Sequence, residues 1–336
     1  MRVRKMVEQP INGLTRMQAR KIRQKKFKRK LIFTAILITI VLVLGALFFI
    51  TSKLITSFTP DIAITNFNKA MQAGNYREAY RFLEARGPML TEEAFVKVQQ
   101  NQGAVKEIIT VKKAKDKFII KTIREANTKE YSIKMINKGN RVLTDWCLDA
   151  TPFIDQISIF TKTKGAVLKS GSIELGTSDG KNPITYLAFT GYSHTAFMQL
   201  EGAQKLIFEM PVNLRASTEY MPATEELKES LAGVIEQYYG ELSKTYLDNN
   251  IERLSPYLKA GGESFNWVKN TFNNTKAKKN YLNKKLLQAS AENAYMEDPT
   301  HAVIKLKETW SGNNQPVIVN YELEKLDKSW KIVRTI

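Results

Sequence analysis

The chain has 336 residues and a formal net charge of +18, from 51 Lys and Arg against 33 Asp and Glu, with one cysteine and two histidines. One cysteine excludes an internal disulfide framework, and two scattered histidines with that cysteine exclude a His/Cys metal cluster. The length suffices for two or three domains, each folding on its own apolar core.

The charge is uneven. Residues 1–30 hold twelve Lys and Arg against one acid, Glu8, so this tail carries +11 and the rest of the chain only +7. The tail runs into twenty uncharged, mostly apolar residues, 31–50 (LIFTAILITIVLVLGALFFI). At about 1.5 Å per residue, a helix of that length spans about 30 Å, the hydrocarbon thickness of a bilayer. A transmembrane helix is therefore predicted over 31–50, behind a basic cytoplasmic tail at 1–30. The apolar run exceeds the roughly 7–15 residues of a signal-peptide core. No small-x-small cleavage site follows at 51–56, and no Cys follows as a lipoprotein requires. An uncleaved signal-anchor is expected. The positive tail keeps the N-terminus in the cytoplasm and places the C-terminal domains outside it, so the expected location is the cell membrane, single-pass. The tail's expected partners are the lipid bilayer and its anionic inner-leaflet lipids, at about 1 kcal/mol per Lys or Arg. Nucleic acid is not expected as a partner.

Residues 51–60 read as a stalk ending at Pro60. The spacing of Ile62, Ile64, Phe67 and Met71 predicts a helix over 61–72, broken at Gly74-Asn75, and a second follows over 76–85. After Gly87-Pro88, Thr91 reads as the N-cap of a third helix, with Glu92 and Glu93 in its first turn and an end near Gly103. The apolar period then falls from 3.6 to 2. Strands are predicted at 105–111, 118–124, 130–136 and 141–148, joined by hairpin turns. Cys147 falls in the last of these, between Trp146 and Leu148, as a buried small apolar residue.

Residues 152–222, opened by Pro152 and closed by Pro222, carry apolar runs at 166–168, 184–189, 195–200 and 206–214 between glycine-containing turns. Short strands of this kind predict a small all-β domain, with Asp179-Gly180 as a hairpin turn. The first pattern then returns. Thr224 caps a long helix with Leu227, Leu231, Val234, Ile235, Tyr238 and Leu242 inward. Helical stretches follow at 246–257 and 263–272, then a Lys/Asn-rich loop at 273–284, then strands at 286–295, 302–310, 317–326 and 330–335. Asn75–Leu83 (NYREAYRFL) matches Asn250–Leu258 (NIERLSPYL) in apolar spacing, and Asp145-Trp146-Cys147-Leu148 matches Ser329-Trp330-Lys331-Ile332. The predicted fold class is α+β: a single N-terminal transmembrane helix, then two copies of one module, 61–151 and 223–336, flanking the β-domain.

Recognisable chemistry is sparse. His301 follows Pro299-Thr300 and reads as an exposed turn residue; His194, within Gly191–Thr195, reads as another. Glu92-Glu93 and Glu297-Asp298 are explained by a helix start and a turn. The inward strand positions are mainly Ile, Val, Leu and aromatic. No catalytic, cofactor-binding or metal-binding residue is predicted, and no cofactor. One candidate contact stands out: Lys276, Lys278, Lys279, Lys284 and Lys285, around Tyr281, form a basic stretch suited to an anionic polymer, against the plainer reading of a solvated loop. Trp267, Phe272 and Tyr281 line a groove or belong to the core.

Three helices followed by a curled four-stranded sheet that ends in a Trp-x-hydrophobic strand resemble the nuclear-transport-factor-2-like (NTF2-like) cone. The order tail, span, cone, β-domain, cone resembles the TcaA (teicoplanin-resistance-associated) family of Gram-positive membrane proteins. That family commonly begins with a four-cysteine zinc ribbon, and this tail has no Cys, so no cytoplasmic metal role carries over. The resemblance implies a non-enzymatic, extracytoplasmic cell-envelope protein that binds, scaffolds or senses at the Gram-positive cell wall. Its implied partners are peptidoglycan or wall-synthesis and secretion proteins, with an effect on sensitivity to wall-directed antibiotics. VirB8-like subunits of conjugative (type IV secretion-like) channels also resemble it in tail, span and NTF2-like ectodomain, and imply a structural subunit of a transfer channel. Their two cones are usually adjacent, whereas 152–222 separates the pair here.

Overall fold

Hydroxyl and amide caps start several of the helical segments. In the computed structural model, which describes residues 34–45, 59–139, 145–210, 214–274, 282 and 284–336, Thr59 Oγ1 accepts from Ile62 N to open helix α2, Pro60–Gln72. This leaves α1 for residues 34–45, the described part of the expected span, which are helical and exposed throughout. Residues 31–33 and 46–50, like the tail 1–30, lie outside the described residues. No helix among the described residues is long and apolar enough to cross a membrane.

Helix α2 buries Ala63, Ile64, Phe67, Ala70 and Met71 on one stripe. Asn75 caps α3, Tyr76–Tyr80, by accepting from Glu78 N. The helix expected over 76–85 therefore stops five residues early. Phe82 O accepts from Leu148 N at 2.7 Å, and the chain straightens into β1, Leu83–Glu84. A ladder to a distant strand wins here over continued local helix. Thr91 caps α4, Glu92–Asn101, as expected. Strands β2 (Val105–Ala114), β3 (Lys117–Arg124), β4 (Thr128–Asn137) and β5 (Trp146–Asp149) follow. Residues 140–144 of the expected fourth strand lie outside the described residues. The sheet order is β1-β5-β4-β3-β2, antiparallel apart from the parallel β1–β5 pair. Phe67, Phe95, Phe118, Ile120 and Ile133 are at most 2% exposed at its centre; burial of each contributes about 2–3 kcal/mol.

The middle segment is all β, as its glycine-punctuated runs suggest, but with more strands than those runs mark. They are β6 (Ile154–Thr161), β7 (Val167–Ser170), β8 (Ile173–Thr177), β9 (Ile184–Phe189), β10 (His194–Gln199), β11 (Leu206–Met210), β12 (Arg215–Thr218) and β13 (Met221–Pro222). Two sheets form, in the orders β11-β10-β7-β8 and β12-β6-β9. Asp179-Gly180 is not a hairpin turn. It lies in the connection between β8 and β9, which belong to different sheets, and Asp179 Oδ1 accepts from Lys181 N and Asn182 N at 2.8 and 2.7 Å. At Gly176, with φ of +151°, a Cβ would meet Ile184 Cγ2 at 2.8 Å, so only glycine lets β8 approach β9 this closely.

Thr224 then caps α5, Glu225–Asp248, 24 residues long. The break expected at 246 is absent, because Tyr246 continues the buried stripe of Leu231, Ile235, Tyr238 and Leu242. A 3-10 turn, Ile251–Leu254, follows, capped by Asn250. Helix α6 is Glu263–Phe272, and β14 (Leu286–Asp298), β15 (His301–Trp310), β16 (Asn313–Leu326) and β17 (Ser329–Thr335) form a sheet in the order β13-β14-β15-β16-β17. Three register shifts along β14 mark bulges, which curl a sheet around the helices it carries.

The sequence repeat is visible in backbone register. Leu83 pairs in parallel with Leu148, and Leu258 pairs in parallel with Ile332; these are the last residues of the matched words. The middle segment shares one continuous apolar core with the second module, which Met89 joins, while the other buried apolar residues of the first module form a second core with Phe189. Thr163, fully buried, pins that shared core: its hydroxyl donates to Met296 O at 2.8 Å and accepts from Met221 N at 2.7 Å.

Candidate functional site: an aromatic pocket backed by a buried carboxylate

Period-2 alternation along β15 builds this site. Ala302, Ile304 and Leu306 point inward and are fully buried. The same face continues to Glu308, 1% exposed, and then to Trp310. A carboxylate is thus placed where an aliphatic residue is usual, and burial raises its pKa, partly offset by the hydrogen bonds it accepts from Tyr321 and Trp310. One oxygen accepts from Tyr321 Oη and the other from Trp310 Nε1 at 3.1 Å. Tyr239 Oη lies 2.7 Å from Tyr321 Oη. Because Tyr321 gives its proton to Glu308, Tyr239 is the donor in that pair. Burial, with Tyr239 and Glu308 alongside, pushes the Tyr321 hydroxyl far above its ordinary range, so it stays a donor at any physiological pH.

A pocket of about 640 Å3 opens in front of this chain, within the roughly 300–1,000 Å3 of small-molecule sites. Tyr238 and Tyr239 from α5, Trp267 from α6, and Trp310 and Tyr321 from the sheet supply its aromatic wall. The Tyr239 and Trp310 rings meet at 4.7 Å and 89°, a right-angled corner. Leu242, Val317, Val319 and Ile332 supply aliphatic surface, and the exposed Glu263 and Lys284 flank it. No His or Cys lines the pocket. Among the described residues, no group of three or more His, Cys, Asp or Glu is placed to hold a metal ion.

Of the basic stretch, Lys284 lines this pocket. Lys285 exchanges backbone bonds with Ser311, whose hydroxyl accepts from Lys285 N and whose N–H donates to Lys285 O, both at 2.8 Å. Lys276, Lys278, Lys279 and Tyr281 lie outside the described residues. Trp267 reaches the pocket, whereas Phe272 stacks on Tyr246. Both histidines depart from the turn reading. His301 is half-buried, with Nδ1 2.9 Å from Asp298 and Nε2 3.6 Å from Glu324, because β15 begins at residue 301 and pairs it with Glu324. His194 opens β10, stacks on Tyr192 and meets Tyr186 Oη at 2.8 Å; burial lowers its pKa. Cys147 is buried as expected, and burial raises its thiol pKa. Glu308 is the residue that sequence reasoning missed. Its signal was the phase of the alternation Ala302, Ile304, Leu306, which assigns residue 308 to the inner face.

The fold and the pocket define a mixed α+β protein of several sheets and few helices, with an aromatic cavity in its second module. No known family model matches the chain, and no curated protein matches it. A solved structure described as an Ntf2 like protein involved in plasmid conjugation is similar over 80% of this chain and 88% of its own, at 6% sequence identity and a TM-score of 0.21. A likeness at that TM-score carries no argument for fold or function.

Proposed function

We propose that this chain is a non-enzymatic, membrane-anchored envelope protein whose NTF2-like cones and β-domain form an extracytoplasmic binding scaffold. The basic tail and the uncharged run 31–50 support the anchor and its orientation. In each module, helices precede a four-stranded antiparallel meander, β2–β5 and β14–β17, which supports the cone reading. One observation carries binding over catalysis: the buried polar groups behind the pocket wall hydrogen-bond one another, with Glu308 accepting from Tyr321 and Trp310 and Tyr239 bonded to Tyr321. A cavity with its wall hydrogen bonds already made is suited to holding a ligand by its apolar faces.

The proposed ligand on the outside is cell-wall material, with Lys276, Lys278, Lys279, Lys284 and Lys285 as the contact for anionic polymer. Full-length protein in nanodiscs, incubated with purified peptidoglycan across a salt titration, tests this. Retention that survives moderate salt supports wall recognition. Absence of retention at any salt, together with unchanged wall-antibiotic sensitivity on deletion, sinks it. Co-purification of a coupling ATPase would point instead to a conjugative channel subunit. The anchor has its own check: Leu42→Lys with Leu44→Lys should move the protein out of the membrane fraction.

A further inference from the structure

The two ends of the first sheet treat their basic residues differently. At one end of β3, Arg124 is buried and donates to Gln99 Oε1 at 2.5 Å and to Gly103 O, clasping the end of α4. At the other end, residues 112–117 close β2 onto β3 and read Lys-Lys-Ala-Lys-Asp-Lys. Lys117 stands directly opposite Lys134 of β4, and like charges facing each other across a ladder destabilise it. The neighbouring Lys106, Lys112 and Lys138 each find an acid. Among the described residues, the exposed Lys113, Lys115, Lys117 and Lys134 do not.

Apolar surface adjoins these lysines. Thr110 and Lys112 meet α2, so the alternate residues Ile109 and Val111 turn to the opposite face of the sheet. They are 41% and 45% exposed there, with Val111 paired to Ile119. Glu107 and Glu130, the acids of that face, pair with Ile123 and Lys121, farther from the turn.

The direction of α2 says what lies near this end. Asp61, in its first turn, holds Lys112 at 2.5 Å, and Asn68 donates to Thr110 at 2.7 Å. Helix α2 therefore runs antiparallel to β2, and the chain enters the module beside the β2–β3 turn. Eight residues, 51–58, separate the uncharged run 31–50 from Thr59. A chain of that length reaches about 29 Å at most.

We propose that this hairpin end and the sheet face behind it dock on the outer surface of the chain's own membrane, with the four lysines on anionic lipid headgroups. The proposal rests on the membrane-anchored, extracytoplasmic reading above. Lysines beside exposed branched apolar residues suit a lipid interface, whereas a wall polymer would use the lysines and leave Ile109 and Val111 in water. The tether holds the hairpin within reach of the bilayer, so docking needs little intrinsic affinity.

The test reconstitutes full-length protein in phosphatidylcholine nanodiscs with or without phosphatidylglycerol. Exposed lysines are acetylated briefly and read by mass spectrometry. Lys113, Lys115, Lys117 and Lys134 are expected to react about 5-fold more slowly in the anionic discs, while the exposed Lys307 of the second module reacts equally in both. Salt at about 0.5 M should weaken the protection. Ile109→Ser with Val111→Ser, at exposed positions, should reduce it about 2-fold. Protein that fails to enter the discs sinks the anchor, and the docking with it. Protein that enters them while the four lysines react equally in both lipids, or are protected no more than Lys307, sinks the docking alone. Protection untouched by the double variant, or seen only when purified wall polymer is added, would also overturn the docking.

Discussion

The two modules share an order of helices before a four-stranded meander and differ in what meets the inner face of the sheet. In the first module the inner face of β3 reads Phe118, Ile120, Thr122, Arg124, all buried. Its charged end is neutralised by the carbonyls at the end of α4, and Phe153 covers Tyr131. In the second, β15 reads Ala302, Ile304, Leu306, Glu308 and continues to Trp310. In the register that aligns Leu148 with Ile332, Ile304 stands where Phe118 stands and Glu308 where Thr122 stands, and the buried carboxylate is held by side chains of the sheet itself. Its partners are a phenol and an indole. The difference teaches that a buried charge is satisfied by whatever the packing brings to it: the end of a helix for Arg124, aromatic donors for Glu308.

The largest expected effect tests the Arg124 clasp in the first module. Arg124→Met leaves Gln99 and the Gly103 carbonyl without their charged donor, and should lower stability by about 3 kcal/mol. Urea unfolding monitored by circular dichroism reads this; a loss under about 1 kcal/mol would mean that the clasp does not hold α4 in place. Phe153→Ala should cost about 2 kcal/mol, because the ring is only half-buried. It should also create a new weak site for benzyl alcohol in the first module. If it destabilises without opening such a site, the neighbouring side chains have relaxed into the space. Tyr321→Phe removes the hydroxyl shared by Glu308 and Tyr239 and should cost about 1.5 kcal/mol. A neutral outcome would separate the carboxylate from the wall it is argued to organise.

The repeated caps come next. Asn75→Ala and Asn250→Ala each remove a side-chain acceptor at the start of the matched words, at about 1 kcal/mol each. Sharply unequal losses would show that the repeat is one of sequence more than of energetics. The smallest effect is a pH slope. Burial raises the Glu308 pKa above its ordinary 4.5, so the folded state holds that proton more tightly than the unfolded state. Its contribution is full below the unfolded value and is lost as pH rises through the folded one. The stability difference between wild type and Glu308→Gln should therefore move against wild type across that window and flatten above it. A flat difference throughout would mean that Glu308 is not desolvated.

Much of the helix and strand content was legible in local patterns. Thr91 and Thr224 announced their helices because a hydroxyl before an acidic first turn satisfies orphan N–H groups wherever it occurs. The meanders were legible because side chains alternate faces along a strand. Failures came where a distant partner outbid local preference. Residues 81–85 lie in a helical pattern yet pair with β5, and β6 (Ile154–Thr161) escaped notice because Asp155, Gln156 and Ser158 broke its apolar run. Glu308 is hidden for a related reason: one partner, Tyr321, lies 13 residues away on the next strand, and the other, Trp310, reads in sequence as one more apolar residue.

What local order settled was periodicity, caps, the repeat and the charge asymmetry of the first thirty residues, since each depends on neighbours within a few positions. The tertiary structure alone decided that Arg124 is clasped by the end of a helix and that Glu308 is faced with aromatic rings. Side chains far apart in the chain meet only when a sheet curls, and the meaning of a buried charge lies in which groups that curling brings to it.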